Sequence, residues 1–317
     1  MARGLTKWMR GLSIAFGVMA GLAGCADYQE ATLDRATSTA EIGSATIAAA
    51  APKPIKVASF NIQVFGETKR SKSDVMAILV EIAAKYDILA IQEVRDDTET
   101  TVDYFVDAIN STSGARYAAL SGPRLGRTNS KEQYAFIYNT AKVQYLANTA
   151  YTYADPGDHL HREPYIARFR SGQFTFVLVD VHTDPDDVAN EIAALDDVVK
   201  DALRHFPGEG DVITLGDFNA DCDAFNPERH STALQGPAYR WIVPDDADTT
   251  VATKPCAYDR IVIRDAATSQ DWRGDWGIER FDNEFHLTPA QTKAVSDHYP
   301  VWAEFSTTAD TDGLPGS

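Results

Sequence analysis

The sequence is short of positive charge. Lys and Arg together number 29 against 46 Asp and Glu, which gives a formal net charge of −17 at pH 7. A field of this sign repels polyanions at long range, so composition taken alone argues against a nucleic-acid-binding protein. It suits a secreted protein that holds divalent cations. Binding to a phosphodiester would need locally placed Arg and metal ions, and it would be sensitive to salt.

The N-terminal apolar run is too short to cross a membrane. It covers residues 12–22, follows three cationic residues, and leads to the sequence Leu22-Ala23-Gly24-Cys25. This arrangement predicts an export signal over residues 1–24. The four residues resemble the bacterial lipobox, in which the cysteine is lipidated and becomes the new N-terminus. An ordinary signal peptide cut at small residues is the alternative.

Composition divides the rest of the chain into three parts. Residues 25–53 are rich in Ala, Thr and Ser, which predicts a flexible linker attached to a lipid on Cys25. Residues 54–306 have the apolar content of one sizeable domain, and residues 307–317 read as a disordered acidic tail. We therefore expect an exported protein, either extracellular or a lipoprotein of the cell envelope, that contacts the membrane through the anchor only.

Cysteine is scarce, with three in the whole chain. Cys25 is accounted for by the lipobox, which leaves Cys222 and Cys256 in the domain. Two cysteines in an oxidising compartment predict one disulfide, and two free buried thiols are the alternative. A bridge would join the loop after residues 217–219 to the segment just before Tyr258 and Asp259.

The domain alternates apolar runs with amphipathic helices. Helices are predicted at residues 73–86, 98–110 and 188–203. Strands are predicted at residues 57–62, 88–92, 117–120, 134–138, 143–153, 165–169, 174–181, 212–215, 260–263 and 299–305. Strand hairpins with few helices argue against a purely parallel doubly wound sheet. The pattern favours a mixed α/β (α+β) fold in which two mixed sheets pack together under helices, with the site at one end.

Acidic, amide and imidazole residues lie at the ends of four predicted strands. The segment Gly216-Asp217-Phe218-Asn219-Ala220 follows one strand, Glu93 follows another, and His182 follows a third. The pair Asp297-His298 precedes the last strand. Since α/β sheets present their chemistry at strand ends, these groups would form one metal-dependent acid/base site if the ends converge.

Seven segments of the domain resemble the deoxyribonuclease I family, in the same order and at similar spacing. They are residues 59–68, 92–96, 126–134, 162–164, 216–220, 256–260 and 296–300. One such motif would be weak evidence, but seven in register are specific. The resemblance covers almost all of residues 55–305. It implies a four-layered α/β sandwich that makes single-strand cuts in duplex DNA with Mg²⁺, often helped by Ca²⁺, and leaves 5′-phosphates.

The chemistry of phosphodiester hydrolysis explains why these residue types are needed. An attacking water must lose a proton, the leaving oxygen must gain one, and extra negative charge on phosphorus must be neutralised. The resemblance implies the following catalytic residues: His182 paired with Glu132, His298 paired with Asp259, and Asp217 and Asn219 beside them. Which pair serves the water is left open. Asn219 is expected to donate to a phosphate oxygen.

The resemblance also implies metal ligands. Hard oxygen donors from Glu93, Asn61, Asp217 and Asp297 suit Mg²⁺ or Mn²⁺, and no cluster of Cys or His indicates zinc.

The resemblance implies calcium sites in two loops. Asp248 and Thr250 resemble a structural calcium loop whose later threonines are replaced here by Ala252 and Lys254. A second, shortened calcium loop would use Asp155 and Glu163.

Four further residues fall on family positions that contact the DNA backbone or minor groove: Gln63, Arg95, Arg127 and Arg162. Arginine is a natural partner for phosphate and for narrow grooves. One departure is Ser130, which stands where deoxyribonuclease I has a tyrosine that stacks on a minor-groove sugar. Its loss is expected to weaken duplex binding or relax sequence preference.

Two alternatives to a DNA endonuclease remain open. The same scaffold serves phosphodiesterases that act on lipids or inositol phosphates, and these share the core residues. The fuller match around Gln63, Arg95 and residues 258–260, with no obvious apolar hairpin for membrane insertion, favours DNA. The other alternative is a catalytically silent surface module that binds nucleic acid. Such modules usually lose a central acid or histidine, and none is missing here. The protein is expected to act as a monomer.

Overall fold

The computed structural model describes residues 53–226, 230–310 and 312. The export signal, the lipidation of Cys25 and the linker up to residue 52 therefore lie outside the described residues. Among the described residues, no helix has the length and the apolar character needed to cross a bilayer.

The first sheet has six strands. Their spatial order is β12 (Trp272–Ile278), β13 (Val301–Phe305), β1 (Ile55–Phe65), β2 (Ile88–Val94), β4 (Glu132–Asn139) and β3 (Tyr117–Leu125). Strands β1 and β2 are parallel, and the other neighbouring pairs are antiparallel.

The second sheet has seven strands. Their order is β10 (Tyr239–Trp241), β11 (Asp259–Arg264), β9 (Val212–Asp217), β8 (Phe174–His182), β7 (Tyr165–Ser171) and β5 (Gln144–Tyr145), and β6 (Tyr151–Thr152) also pairs with β7. Only β8 and β9 are parallel in this sheet. Both sheets are thus mixed.

Helices cover the outer faces. They are α1 (Glu67–Arg70), α2 (Ser73–Ala83), α3 (Thr101–Ser113), α4 (Val188–His205), α5 (Phe281–Glu284) and α6 (Pro289–Val295), with a 3-10 turn at Ala233–Gln235. The apolar side of α2 and α3 packs on the first sheet, and that of α4 packs on the second.

Phenylalanines from both sheets form the central core. Phe136 of β4 and Phe305 of β13 meet Phe169 of β7 and Phe174 of β8, with ring centroids of Phe136 and Phe169 5.5 Å apart. The layers are helix, sheet, sheet and helix, so the four-layered sandwich implied by the resemblance is confirmed. Most of the central strands are buried on both faces, because helices cover one side of each sheet and the other sheet covers the opposite side.

Two predicted elements differ in detail. The helix predicted at residues 98–110 begins three residues later, because the Asp96 carboxylate accepts hydrogen bonds from the N–H groups of Thr98, Thr100 and Thr101 and holds that segment as a loop. The strand predicted at residues 143–153 is two short strands, β5 and β6, that pair separately with β7. The short elements β10, β12, α5 and α6 were not predicted.

Residues at the start of the predicted acidic tail contact the domain. The Thr307 hydroxyl donates to the Lys53 carbonyl at 3.1 Å, and the Asp310 carboxylate accepts from the N–H and hydroxyl of Thr175 at 3.1 and 2.9 Å. The described domain therefore extends beyond residue 306.

The disulfide between Cys222 and Cys256 is confirmed, with a Cα–Cα distance of 5.8 Å. It joins the loop that follows β9 to the loop that precedes β11. These two strands are neighbours in the second sheet, so the bridge joins two loops at the same end of the sheet.

Strand register aligns the chemistry-bearing residues of the second sheet. His182 of β8 pairs with Asp217 of β9, and Asp217 pairs in turn with Asp259 of β11. The residue before Asp217 must be glycine. Gly216 has φ of +148°, and a Cβ there would lie 1.9 Å from the carbonyl oxygen of Val181 on β8. A side chain at this position would push β9 away from β8 and shift Asp217 from His182.

We predict that Gly216→Ala destabilises the protein by about 2–4 kcal/mol in urea unfolding, because strain at positive φ adds to the clash with Val181. Gly274→Ala is the matched control. Gly274 has φ of +86° but no atom within 4 Å of an added Cβ, so only the backbone cost of about 1 kcal/mol is expected. Equal losses in the two variants would contradict the role of the close approach between β8 and β9.

Candidate active site

The first imidazole–carboxylate pair joins the two sheets. Nδ1 of His182, at the end of β8, lies 2.8 Å from Oε2 of Glu132, at the start of β4. The His182 N–H donates to the Tyr134 hydroxyl at 2.9 Å, and Arg162 Nε donates to the His182 carbonyl at 3.1 Å. Burial alone would raise the pKa of Glu132, but the hydrogen bond to His182 and the charges of His182, Arg162 and Arg95 lower it to about 2. The ionised carboxylate can therefore orient the imidazole.

The second pair lies on the other side of the site. Nδ1 of His298 is 2.8 Å from Oδ2 of Asp259, which is fully buried at the start of β11. The N–H of Asp259 donates to the Thr249 hydroxyl, and that of His298 donates to the Ser296 hydroxyl, each at 3.1 Å. Burial alone would lower the pKa of His298, but the carboxylates of Asp259 and Asp217 raise it to about 10.

Both imidazoles point their second nitrogen at one carboxylate oxygen. Nε2 of His182 and Nε2 of His298 each lie 3.5 Å from Oδ2 of Asp217. Asp217 is 2% exposed, and its Oδ1 accepts the N–H of Asn219 at 3.0 Å. Burial would raise the pKa of Asp217, but the two histidines outweigh it and lower the pKa. The result is a nearly symmetric arrangement of two Nδ1–carboxylate pairs around one central anion.

The expected metal ligands form a hydrogen-bonded network beside this centre. The Asn61 amide donates to Oε1 of Glu93 at 3.1 Å and to Oδ2 of Asp217 at 3.0 Å. Oδ2 of Asp297 accepts from Nε2 of Gln63 at 2.6 Å, while Oδ1 of Asp297 is buried and accepts no hydrogen bond. Burial and the charges of Glu93 and Asp217 raise the pKa of Asp297 despite the attraction of the nearby imidazole. A buried oxygen without a donor, among hard oxygen groups, fits a divalent cation such as Mg²⁺ or Mn²⁺.

Part of the backbone strain among the described residues lies at this site. Four residues here have positive φ without being glycine: Gln63 at 36°, Val64 at 51°, Glu93 at 60° and Asn219 at 46°. Such conformations cost of order 1–3 kcal/mol each and persist where surrounding contacts enforce them, often at functional sites. Here the Val64 N–H donates to Oε2 of Glu93 at 2.9 Å. The strained backbone at Val64 therefore fixes the position of the Glu93 carboxylate.

Asn219 and Arg162 are more enclosed than the resemblance implied. Asn219 is 7% exposed, and its amide donates to the Thr183 carbonyl at 3.0 Å. Arg162 is 8% exposed, and its guanidinium donates to the carbonyls of both His182 and Thr183. In this structure both side chains shape the turn after β8.

The other expected DNA contacts lie nearer the surface. Arg95 is half-buried and bonds to Oε1 of Glu132 at 2.6 Å and to the Ser130 hydroxyl at 3.2 Å. The serine that replaces the family's tyrosine thus contacts one of the expected DNA-binding arginines. Arg127 is exposed and pairs with Asp158 at 2.9 Å.

Two clefts flank the histidine pairs. One of about 370 Å³ is lined in part by three basic residues, Arg95, Arg124 and Lys131, and by three acidic ones, Glu67, Asp96 and Asp97. The other, of about 450 Å³, is lined in part by Lys293 and His298, together with Tyr258 and Lys254. Basic side chains are therefore placed beside the site of a strongly acidic protein.

The residues expected to bind calcium lie in two separate loops. Oδ1 of Asp248 and Oγ1 of Thr250 are both buried without a hydrogen-bond partner, which fits an ion at that loop, although Arg280 lies 3.4 Å from the other oxygen of Asp248. Oδ2 of Asp155 accepts the Leu160 N–H at 2.7 Å, closing its own loop. Glu163 is half-buried. Among the described residues, none of these four belongs to a tight group of three His, Cys, Asp or Glu ligands.

Three supporting residues were not identified from the sequence. The Ser296 hydroxyl donates to the Asn61 carbonyl at 2.6 Å. The Thr249 hydroxyl accepts hydrogen bonds from the N–H groups of Tyr258 and Asp259. Lys69 is buried beneath the site and donates to the carbonyls of Ile62 and Val295 at 2.7 and 2.9 Å. Ser296 and Thr249 lie in or beside recognisable motifs, so the sequence could have indicated that they support the site. Lys69 has none.

The chain is similar to known proteins in both sequence and fold. The sequence matches the model of the endonuclease/exonuclease/phosphatase family over residues 58–298. Deoxyribonuclease-1-like 2 from Mus musculus is 36% identical over 259 residues, which cover 80% of this chain and 92% of that protein. Deoxyribonuclease-1 from Homo sapiens is 38% identical over 259 residues, which cover 78% of this chain and 90% of that protein.

Solved structures with this fold are more distant in sequence. TDP2 from D. rerio, complexed with a single-strand DNA product, has a TM-score of 0.56 at 15% identity, and the match covers 81% of this chain and all 100% of that one. An endonuclease/exonuclease/phosphatase from Bacteroides vulgatus has a TM-score of 0.55 at 17% identity, covering 80% and 99%. These structures establish the fold, and the sequence matches establish the family. The chain belongs to the endonuclease/exonuclease/phosphatase family, in its deoxyribonuclease I-like group.

Proposed function

We propose that this protein is a metal-dependent endonuclease that nicks duplex DNA and leaves 5′-phosphates. The observation that carries the proposal is the convergence of the His182–Glu132 and His298–Asp259 pairs on Asp217. Two relatives named as deoxyribonucleases, at 36% and 38% identity, support DNA as the substrate.

The two pairs supply proton transfer on both sides of one phosphate. Each Nδ1 is bound to a carboxylate, so each Nε2 is the nitrogen left to face the substrate. Nε2 of one imidazole takes a proton from the attacking water, and Nε2 of the other gives a proton to the leaving oxygen. The carboxylates of Glu132 and Asp259 fix both rings and stabilise the imidazolium forms.

Glu93, Asp217, Asp297 and the carbonyl oxygen of the Asn61 side chain would hold the metal. When bound, a divalent cation supplies charge neutralisation at the phosphate and lowers the pKa of a water molecule. Gln63 and Val64 orient the carboxylates of this set through their hydrogen bonds to Asp297 and Glu93. The buried Lys69 ammonium donates a hydrogen bond to the Ile62 carbonyl at 2.7 Å and so stabilises β1, the strand that carries Asn61.

Locally placed basic groups reduce the repulsion that the net charge predicts. At −17 the whole protein repels DNA at long range, but Arg95, Arg124 and Lys131 line one cleft beside the site. Within about one Debye length, roughly 8 Å at physiological salt, nearby charges act on DNA more strongly than distant ones. Arg95 and Arg124 are themselves paired with Glu132 and Asp97, so the bound metal ion would supply part of the positive charge that DNA needs. DNA binding should therefore be steeply sensitive to added salt.

Nicking of supercoiled plasmid tests this function. With Mg²⁺ the wild type should relax and then linearise the plasmid, and EDTA should stop both steps. His298→Ala and His182→Ala should each lose about 10²–10⁴-fold in rate, as expected when one general acid or base is removed. His205→Ala, at an exposed position on α4, is the matched control and should retain the wild-type rate.

Three results would contradict the proposal. If the plasmid stays intact at high enzyme concentration while a sphingolipid or an inositol phosphate is hydrolysed, the protein is a phosphodiesterase of the same fold with a different substrate. No hydrolysis of any phosphodiester would favour a binding module. Full activity in EDTA would remove the metal from the mechanism.

We further propose that the protein is exported and anchored by a lipid on Cys25. The apolar leader and lipobox-like sequence support export, and the disulfide between Cys222 and Cys256 suits an oxidising compartment. The linker over residues 25–53 would let the domain reach DNA away from the membrane surface.

Replacing the lipidated cysteine tests the anchor. The wild-type protein should partition into the detergent phase of a Triton X-114 extract, and Cys25→Ala should move it to the aqueous phase. A matched change of a neighbouring residue, Ala26→Ser, should leave the partition unchanged. Persistent detergent partition of the Cys25→Ala protein would contradict lipid anchoring.

A further inference from the structure

A second acidic cluster lies at the opposite end of β9 from the active site. Ligand oxygens of Glu209, Asp211 and Asp312 all lie within 4.8 Å of one another. Glu209 and Asp211 immediately precede β9, whereas Asp217 ends it. At about 3.3 Å per residue, the six residues of β9 separate the two sites by more than 15 Å.

Asp211 is the unusual member of this cluster. It is 0% exposed, and neither of its carboxylate oxygens has a hydrogen-bond partner. Its backbone is satisfied, because its N–H donates to Oε1 of Glu209 at 3.0 Å and its carbonyl accepts from Val177 at 2.7 Å. Oδ1 of Asp312 is likewise buried without a partner. Leaving an ionised carboxylate buried and unpaired costs several kcal/mol, so a missing counter-ligand is the natural explanation.

Nearby basic groups do not neutralise Asp211. Arg168 is used by Glu209, with Nε 2.8 Å from Oε2, and the Arg264 guanidinium donates to the Gly210 carbonyl at 2.9 Å. Burial raises the pKa of Asp211 to about 8, and negative neighbours add to the shift: Asp271, Glu209, Asp312 and Asp310. The cluster is therefore rich in negative charge, and within the described part of the chain no side chain donates a hydrogen bond to the carboxylate of Asp211.

Oxygens within 4.8 Å of one another are close enough to share one calcium ion. Ca²⁺ takes 6–8 oxygen ligands at about 2.3–2.6 Å, so oxygens on opposite sides of one ion lie up to about 5 Å apart. Mg²⁺ keeps several waters and is usually bound through one or two carboxylates, which fits three clustered and largely buried carboxylates less well.

We propose that Glu209, Asp211 and Asp312 bind a Ca²⁺ ion that fastens the C-terminal segment to the loop before β9. The Gly210 N–H already donates to Oδ2 of Asp312, which brings the two segments together. Asp310 adds a second attachment through Thr175 on β8. The ion stabilises the fold at the base of the strand that carries Asp217 and takes no part in catalysis.

Calcium binding by the purified full-length protein tests the site. The measurement is isothermal titration calorimetry with CaCl₂, in saturating Mg²⁺ to fill the active site. Asp211→Asn, Asp312→Asn and the double variant should each bind one Ca²⁺ per chain fewer than wild type. Asp275→Asn, an exposed change of the same kind on β12, should bind as many ions as wild type. Ca²⁺ should also raise the melting temperature of wild type by several degrees more than that of Asp312→Asn.

The outcomes separate a calcium site from a protonated carboxylic acid. If Asp211 were only protonated and bound no ion, Ca²⁺ would raise the melting temperatures of wild type and Asp211→Asn equally. That result, or wild-type stoichiometry in Asp312→Asn, would overturn the proposal. Asp312→Asn changes a half-buried side chain and keeps the test valid if Asp211→Asn does not fold. Plasmid nicking by Asp312→Asn in Mg²⁺ should match wild type, which makes the test independent of the proposed nuclease function.

Discussion

The carboxylate of Asp217, buried between two imidazoles, is the interaction on which the site depends. Its Oδ2 lies 3.5 Å from Nε2 of both His182 and His298, and it also accepts a hydrogen bond from Asn61. A buried anion needs partners on every side. The pairing of each histidine with its own carboxylate, Glu132 or Asp259, supplies positively polarised rings to surround it. Acid/base groups and metal ligands are thereby fixed in one continuous network.

The fold enforces this arrangement through two parallel strand pairs and one close approach. Parallel β1–β2 and β8–β9 bring four strand ends to one edge, where the two sheets face each other. Gly216 lets β9 lie against β8 so that Asp217 pairs with His182 in register. The disulfide ties the loop after β9 to the loop before β11. At the other end of β9, the proposed calcium ion at Asp211 would hold the same strand.

Sequence could predict what is local or carried by motifs. The apolar run before Gly216-Asp217 places these residues at a strand end, and the layered architecture followed from the mixture of hairpins and helices. The pairing of His182 with Glu132 joins residues 50 positions apart in different sheets, so only the family resemblance could supply it. The start of α3 was missed because one side chain, Asp96, captures three N–H groups. Lys69 and the Asp211 cluster were not predictable, because burial and long-range approach define them and neither leaves a pattern in sequence.

The most direct test of coupling through Asp217 is a double-mutant cycle on single-turnover cleavage with His182→Ala, His298→Ala and the double variant. Because both rings contact the same carboxylate oxygen and act on one phosphate, the double variant should lose no more than about tenfold beyond the worse single variant, as residues that act as a unit are strongly non-additive. Losses that multiply to the full product of the two single effects would mean that the histidines act independently, and would contradict the account.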